Sequence, residues 1–325
     1  MTNKFNYFHC MLIKQFRKLQ IPFGISTWTT ILSFTFIINI LVRNINQLKQ
    51  ISLEDFSSYL FLTSLCIAIF SLFINAMAWR SLLYWMGCTK PQLEDIISLY
   101  IRTNLYKYLP GGVWHFVARL KSLRTKLNPR DSVKGVILEP LLMLSAAMLF
   151  APLGNIIKAF SFILFLPSIL FLTNFRDFIL DFIKRIKFDR LDIFNSTFVD
   201  FEDLKTRAPH PLKPFLIETL FILFRFISLL LCFSAFSLDF QGLIFKLLGA
   251  FSIAWSIGLI VPAAPGGVGV FESALIFQVG NYFPPVILLF TLVSYRVIIS
   301  LADLLAPSVL SLSRIINLSQ KFNSH

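Results

Sequence analysis

Two short stretches carry the residues whose types and spacing could do chemistry. Pro110, Gly111, Gly112, Val113 and Phe116 recur as Pro265, Gly266, Gly267, Val268 and Phe271, a shared PGGVxxF repeated 155 residues apart. Proline and paired glycines end helices. A helix that restarts after such a break presents unpaired backbone N–H groups, glycine lets a ligand approach them closely, and the helix dipole adds positive potential. Each break is therefore a candidate anion-binding tip. Lys107 precedes the first break, and His115 and Arg119 follow it at a spacing of four that places them on one helix face, a candidate phosphate cradle. Gly269 and Glu272 follow the second break. Snorkelling at a membrane interface accounts for Lys107 and Arg119 without a ligand, and a hydrogen bond to a neighbouring helix does so for His115.

Ionisable side chains inside apolar runs form a second set, because they are expensive there and pair across a bundle interior. Glu139 precedes Pro140; Glu218 and Arg225 lie seven apart on one face; Arg296 and Asp303 do the same nearer the C-terminus. A structural network of interhelical salt bridges explains these residues as well as a lipid or proton site does. Glu272 is the exception, since its place beside the second break favours a functional role. Enzyme signatures are missing: the chain has no HExxH, no GxSxG and no Walker loop, and no nucleophile and base stand at helical spacing. Cys10, Cys66, Cys88 and Cys232 are scattered without metal or disulfide spacing, so neither a metal nor a cofactor is expected.

The elements that must position these residues follow from composition. Of 325 residues, 56% are hydrophobic and 14% charged, and the mean hydropathy of +0.72 excludes an ordinary soluble enzyme. The apolar runs are long and near-continuous rather than alternating, which predicts helices and not a barrel. Candidate spans are residues 25–42, 57–79, 135–153, 157–174, 214–238 and 284–311. The net charge of +13 is read as topology rather than as a nucleic-acid surface, because cytoplasmic loops accumulate Lys and Arg.

That rule also decides how the broken stretches run. Residues 119–134 hold six bases, and this loop stays cytoplasmic only if residues 96–118 enter and leave on the same side as a re-entrant pair. Residues 175–213, with eight bases and seven acids, form a cytoplasmic linker between a first half, 1–174, and a second half, 214–325. Residues 246–281 are then a second re-entrant pair, entering from the outside, and both termini are cytoplasmic. Two broken pairs entering from opposite sides describe an inverted repeat within a single membrane domain, an arrangement that binds its substrate where the breaks meet near the midplane.

The runs PGGVWHFVAR at Pro110 to Arg119, the basic loop ending near Lys134, Glu139, PAAPGGVGVFE at Pro262 to Glu272 and the SYR at Ser294 to Arg296 resemble the membrane domain of lysylphosphatidylglycerol synthetase. That family includes the flippase half of the multiple peptide resistance factors and many stand-alone relatives. The resemblance covers roughly residues 50–311, with departures at Phe271, where a basic residue is common, and at the Trp114-His115-Phe116 run. It implies movement of an anionic or aminoacylated phospholipid between leaflets of the cell membrane by two re-entrant elements. Because the chain ends at His325, the aminoacyl transferase domain is expected to be absent, and lysyl transfer with it.

The functional expectation is a translocase of a phospholipid or lipid-linked glycan in the plasma membrane. Its substrate-binding residues would be Lys107, Pro110, Gly111, Gly112, His115, Arg119, Glu139, Pro265, Gly266, Gly267, Gly269, Glu272 and Arg296. The alternatives are a secondary transporter of a soluble anion, or a membrane scaffold for a separate glycosyltransferase or lipid-modifying enzyme.

Overall fold

The computed structural model describes residues 56–89, 93, 95–109, 113–154, 211–260 and 269–323, with side chains described as far as residue 311. The expected spans 25–42 and 157–174, most of the linker, and both PGG breaks lie outside the described residues.

Four long apolar helices dominate: α1 (Ser58–Trp85), α4 (Pro129–Met148), α5 (Leu212–Ala235) and α8 (Pro285–Asn323). Each contains a window long and apolar enough to cross a membrane. Between them lie the broken stretches: α2 (Ile96–Asn104) and α3 (Trp114–Leu123) in the first half, α6 (Ile244–Ile260) and α7 (Val270–Val279) in the second. One order of elements thus occurs twice: long helix, broken pair, long helix.

Helix ends differ from the expected limits where charge misleads a hydropathy reading. α1 runs through Arg80 to Trp85, where Gly87 at φ 93 lets the Gly87 and Cys88 N–H groups turn back onto the Tyr84 and Leu83 carbonyls. α5 closes the same way, with Ser237 at φ 54 and Leu238 N–H donating to the Phe233 carbonyl. α4 begins earlier than residue 135, because Asn128 caps the Asp131 N–H at 2.8 Å and Pro129 fits the first turn.

Contacts between the helices fix their directions. Ser57 meets Ala235, Ser64 meets Ser228 and Phe70 meets Phe224, so α1 and α5 run antiparallel along their length. At their crossing, Ser64 Oγ donates to the Ser228 carbonyl at 2.7 Å and Ser228 Oγ returns a bond to the Ser64 carbonyl at 3.1 Å. The Trp79 indole donates to the Gly135 carbonyl at 2.9 Å, joining the end of α1 to the start of α4. Phe283 packs on Phe233 and Tyr295 donates to the Arg225 carbonyl, so α8 is antiparallel to α5.

The second broken pair is a hairpin. Gln278 donates to the Ala250 carbonyl at 3.2 Å, Phe271 packs edge-on against Phe251, and at its base Lys246 Nζ donates to the Tyr282 hydroxyl at 3.1 Å. Its outer wall meets residues 151–154 through glycine: a Cβ on Gly249 would sit 2.5 Å from Gly154 Cα and 2.5 Å from the Leu153 carbonyl carbon. Backbone cannot yield as a side chain does, so Gly249→Ala is expected to destabilise the protein by about 1–3 kcal/mol or more. Gly258→Ala, whose Cβ would meet only Phe271 at 3.9 Å, is the matched control and should melt at or above the parent temperature. Equal melting of the two variants by scanning fluorimetry would remove this contact from the account.

Candidate functional site

The polar residues of the first hairpin recur with helical spacing. Tyr100, Thr103 and Asn104 lie on one face of α2, and the 3-10 turn Leu105–Tyr108 continues the stripe with Lys107 and Tyr108. α3 folds back so that the buried Arg119 guanidinium lies 3.8 Å over the Tyr100 ring. Arg119 forms an ion pair with Glu139 of α4, its Nε donates to Thr103 Oγ1 at 3.3 Å, and Nη2 reaches Asn104 Oδ1 at 3.5 Å. The Tyr100 hydroxyl donates to the same Glu139 oxygen at 2.9 Å. These contacts lock α2, α3 and α4 together, with every Arg119 nitrogen directed at protein.

Asn104 carries the network into the second half. Its Nδ2 donates to Asp303 Oδ1 of α8 at 2.9 Å, while the Tyr108 hydroxyl and Lys107 Nζ approach Asp303 Oδ2 at 2.5 and 2.6 Å. The Arg225 guanidinium of α5 stands 3.8 Å from the same carboxylate. Asp303 is fully buried, so the positive charge around it replaces its lost hydration.

The second hairpin docks two turns away on α8. Gly269, at φ 88, begins α7, and its N–H donates to Glu272 Oε2 at 2.6 Å. A left-handed residue at this point is open to glycine with least strain. The other Glu272 oxygen accepts from Arg296 Nε at 2.7 Å, and the Arg296 guanidinium lies 4.6 Å from the Phe271 ring centre. Arg296 and Asp303, seven apart and so on one face of α8, each receive one hairpin. Glu218 of α5 is buried within electrostatic reach of Glu139 and Arg119, and its Oε1 has no hydrogen-bond partner among the described residues.

The structure thus brings Lys107, Arg119 and Glu139 into one network, and Gly269, Glu272 and Arg296 into a second contact beside it. His115 is half-buried against Phe116, and its Nδ1 has no partner among the described residues. Although it shares a helix with Arg119, no hydrogen bond joins His115 to the Arg119 cluster. Pro110, Gly111, Gly112, Pro265, Gly266 and Gly267 lie outside the described residues. Sequence reasoning missed Tyr100, Thr103, Asn104 and Tyr108; their three-and-four spacing, continued by Lys107, was the available signal.

Described residues that are helical, with four helices among them long and apolar enough to span and a charged interior, make this an integral membrane protein. Residues 23–306 match the family described as lysylphosphatidylglycerol synthase TM region, and the chain belongs to that family. No curated protein matches the chain.

Proposed function

We propose that this chain moves an anionic or aminoacylated phospholipid, or a lipid-linked glycan, between membrane leaflets. The observation that carries the reading is the docking of both broken hairpins on one buried face of α8, through Asp303 and Arg296. A helix rises 1.5 Å per residue, so Arg296 stands about 16 Å along α8 from Pro285, half of a hydrocarbon core of about 30 Å. In this reading each hairpin is re-entrant, the two halves form an inverted repeat, and the charged headgroup crosses between the tips while the halves rock about it. The antiparallel course of α1 and α5 supports opposite insertion of the halves. The family description makes an aminoacylated anionic lipid the first candidate substrate. Both termini are cytoplasmic and the membrane is the plasma membrane; the chain performs no headgroup chemistry, which a separate lipid-modifying enzyme or glycosyltransferase supplies.

The test is translocation of headgroup-labelled lipid by purified protein in liposomes, across phosphatidylglycerol, its lysyl ester, phosphatidylcholine and a polyprenyl phosphate. Movement restricted to charged headgroups is expected. Glu272→Gln keeps an acceptor for the Gly269 N–H but removes the charge facing Arg296. It is expected to slow movement at least about tenfold, the equivalent of about 1.4 kcal/mol. A folded protein that moves none of the four lipids overturns the reading.

A further inference from the structure

The two arginines that are fully buried among the described residues differ in how their donors are used. Arg119 directs all three nitrogens at Glu139, Thr103 and Asn104. Arg225 is equally buried, yet its Nε and Nη1 have no hydrogen-bond partner among the described residues. Its remaining nitrogen stands 3.8 Å from Asp303, outside hydrogen-bond range. Asp303 meanwhile accepts from Asn104, Tyr108 and Lys107, so Arg225 is not needed to satisfy it. Buried cationic donors without acceptors are costly and uncommon in folded proteins, so a position that keeps them open calls for an acceptor from elsewhere.

The surrounding charge says what kind of acceptor. Lys107, at the end of the first hairpin, lies within electrostatic reach of both Arg225 and Arg296. Counting only the charges paired at Asp303 and Arg296, three bases, Lys107, Arg225 and Arg296, face two acids, Asp303 and Glu272. Nε and Nη1 lie on different edges of the planar guanidinium, so a tetrahedral oxyanion can be met on either edge.

We propose that Arg225 is the oxyanion receptor of this protein, binding a phosphate group whose charge is balanced by Lys107 and Arg296. The identification of that phosphate with a lipid headgroup rests on the translocase reading; the site itself does not. Sequence reasoning set the phosphate at the two PGG tips, with Lys107, His115 and Arg119 beside the first; of the buried guanidiniums Arg119 and Arg225, the one with open donors is Arg225 on α5.

Arg225→Lys tests the proposal, because lysine keeps a charge beside Asp303 while losing the planar head with its Nε and Nη donors. Calorimetric titration of the purified full chain would use dihexanoyl-phosphatidylglycerol, dihexanoyl-phosphatidylcholine and inorganic phosphate as probes. The parent is expected to bind the anionic lipid, and the variant to bind it at least about tenfold more weakly at an unchanged melting temperature. Equal binding of inorganic phosphate by the parent would identify a soluble-anion site on the same arginine; binding of the lipid probe alone would identify a headgroup site. Should Arg225→Lys not fold, Arg225→Gln, which retains an amide donor, replaces it with the same expectation. Undiminished binding in a folded variant, or no anion binding by the parent, overturns the proposal. Translocation by the parent is measured alongside, so that lipid movement with undiminished variant binding removes only the site. Arg225-dependent binding without lipid movement removes only the translocase.

Discussion

Arg119→Met is expected to destabilise the purified protein by about 3–5 kcal/mol, the usual consequence of removing one partner from a buried ion pair. Methionine fills much of the space over Tyr100, so the larger loss is electrostatic. Glu139 would keep only the Tyr100 hydroxyl, and Glu218 would face it across an interior without the intervening base. Two neighbouring buried carboxylates without a cation are costly. The double variant Arg119→Met, Glu139→Gln separates charge from packing: the neutral amide still accepts from Tyr100, and at least half of the lost stability should return. Melting curves of the parent, both single variants and the double variant provide the cycle. If the double variant melts no higher than Arg119→Met, the loss comes from the guanidinium stacked at 3.8 Å on Tyr100 rather than from the pair.

The second large effect is expected at Asp303. Asp303→Asn removes the charge that holds Lys107 and Tyr108 of the first hairpin and stands against Arg225. Two bases would remain without their acid, again an effect of about 3–5 kcal/mol. The consequence should also be local, because Asp303 is the point where the end of the first hairpin is fastened to α8. Hydrogen exchange across residues 96–109 should quicken well beyond that across α5, whose packing on α1 does not involve Asp303. Uniform exchange in both segments would show that the hairpin is held by its apolar contacts and not by its carboxylate.

How far this site was legible in the sequence can be judged residue by residue. Gly269 and Glu272 were legible as neighbours because a glycine that starts a helix and an acid three residues later describe a local arrangement. The four described spans were legible because their apolar runs are long. Pair partners were not. Glu218 and Arg225 share a face, as do Arg296 and Asp303, yet seven residues amount to about 10.5 Å along an axis, too far for side chains to pair. Arg225 instead turns to Asp303 and Arg296 to Glu272, choices that depend on which helices are neighbours. Tyr100, Thr103 and Asn104 were overlooked for a related reason: they carry no charge, and only the packing of α2 against α3, α4 and α8 gives them a common purpose.

The two contacts on α8 are of opposite sign. At Asp303 the helix offers an acid to a base of the first hairpin, Lys107; at Arg296 it offers a base to an acid of the second. Over two turns an α-helix behaves as a stiff rod, so the fastenings move as one piece. In the proposed reading, an anion at Arg225 would compete with Asp303 for Lys107 and with Glu272 for Arg296. A visiting cation competes in the reverse sense at the same two points. In that reading, occupancy and the grip on both hairpins would be tied through the single strut of α8.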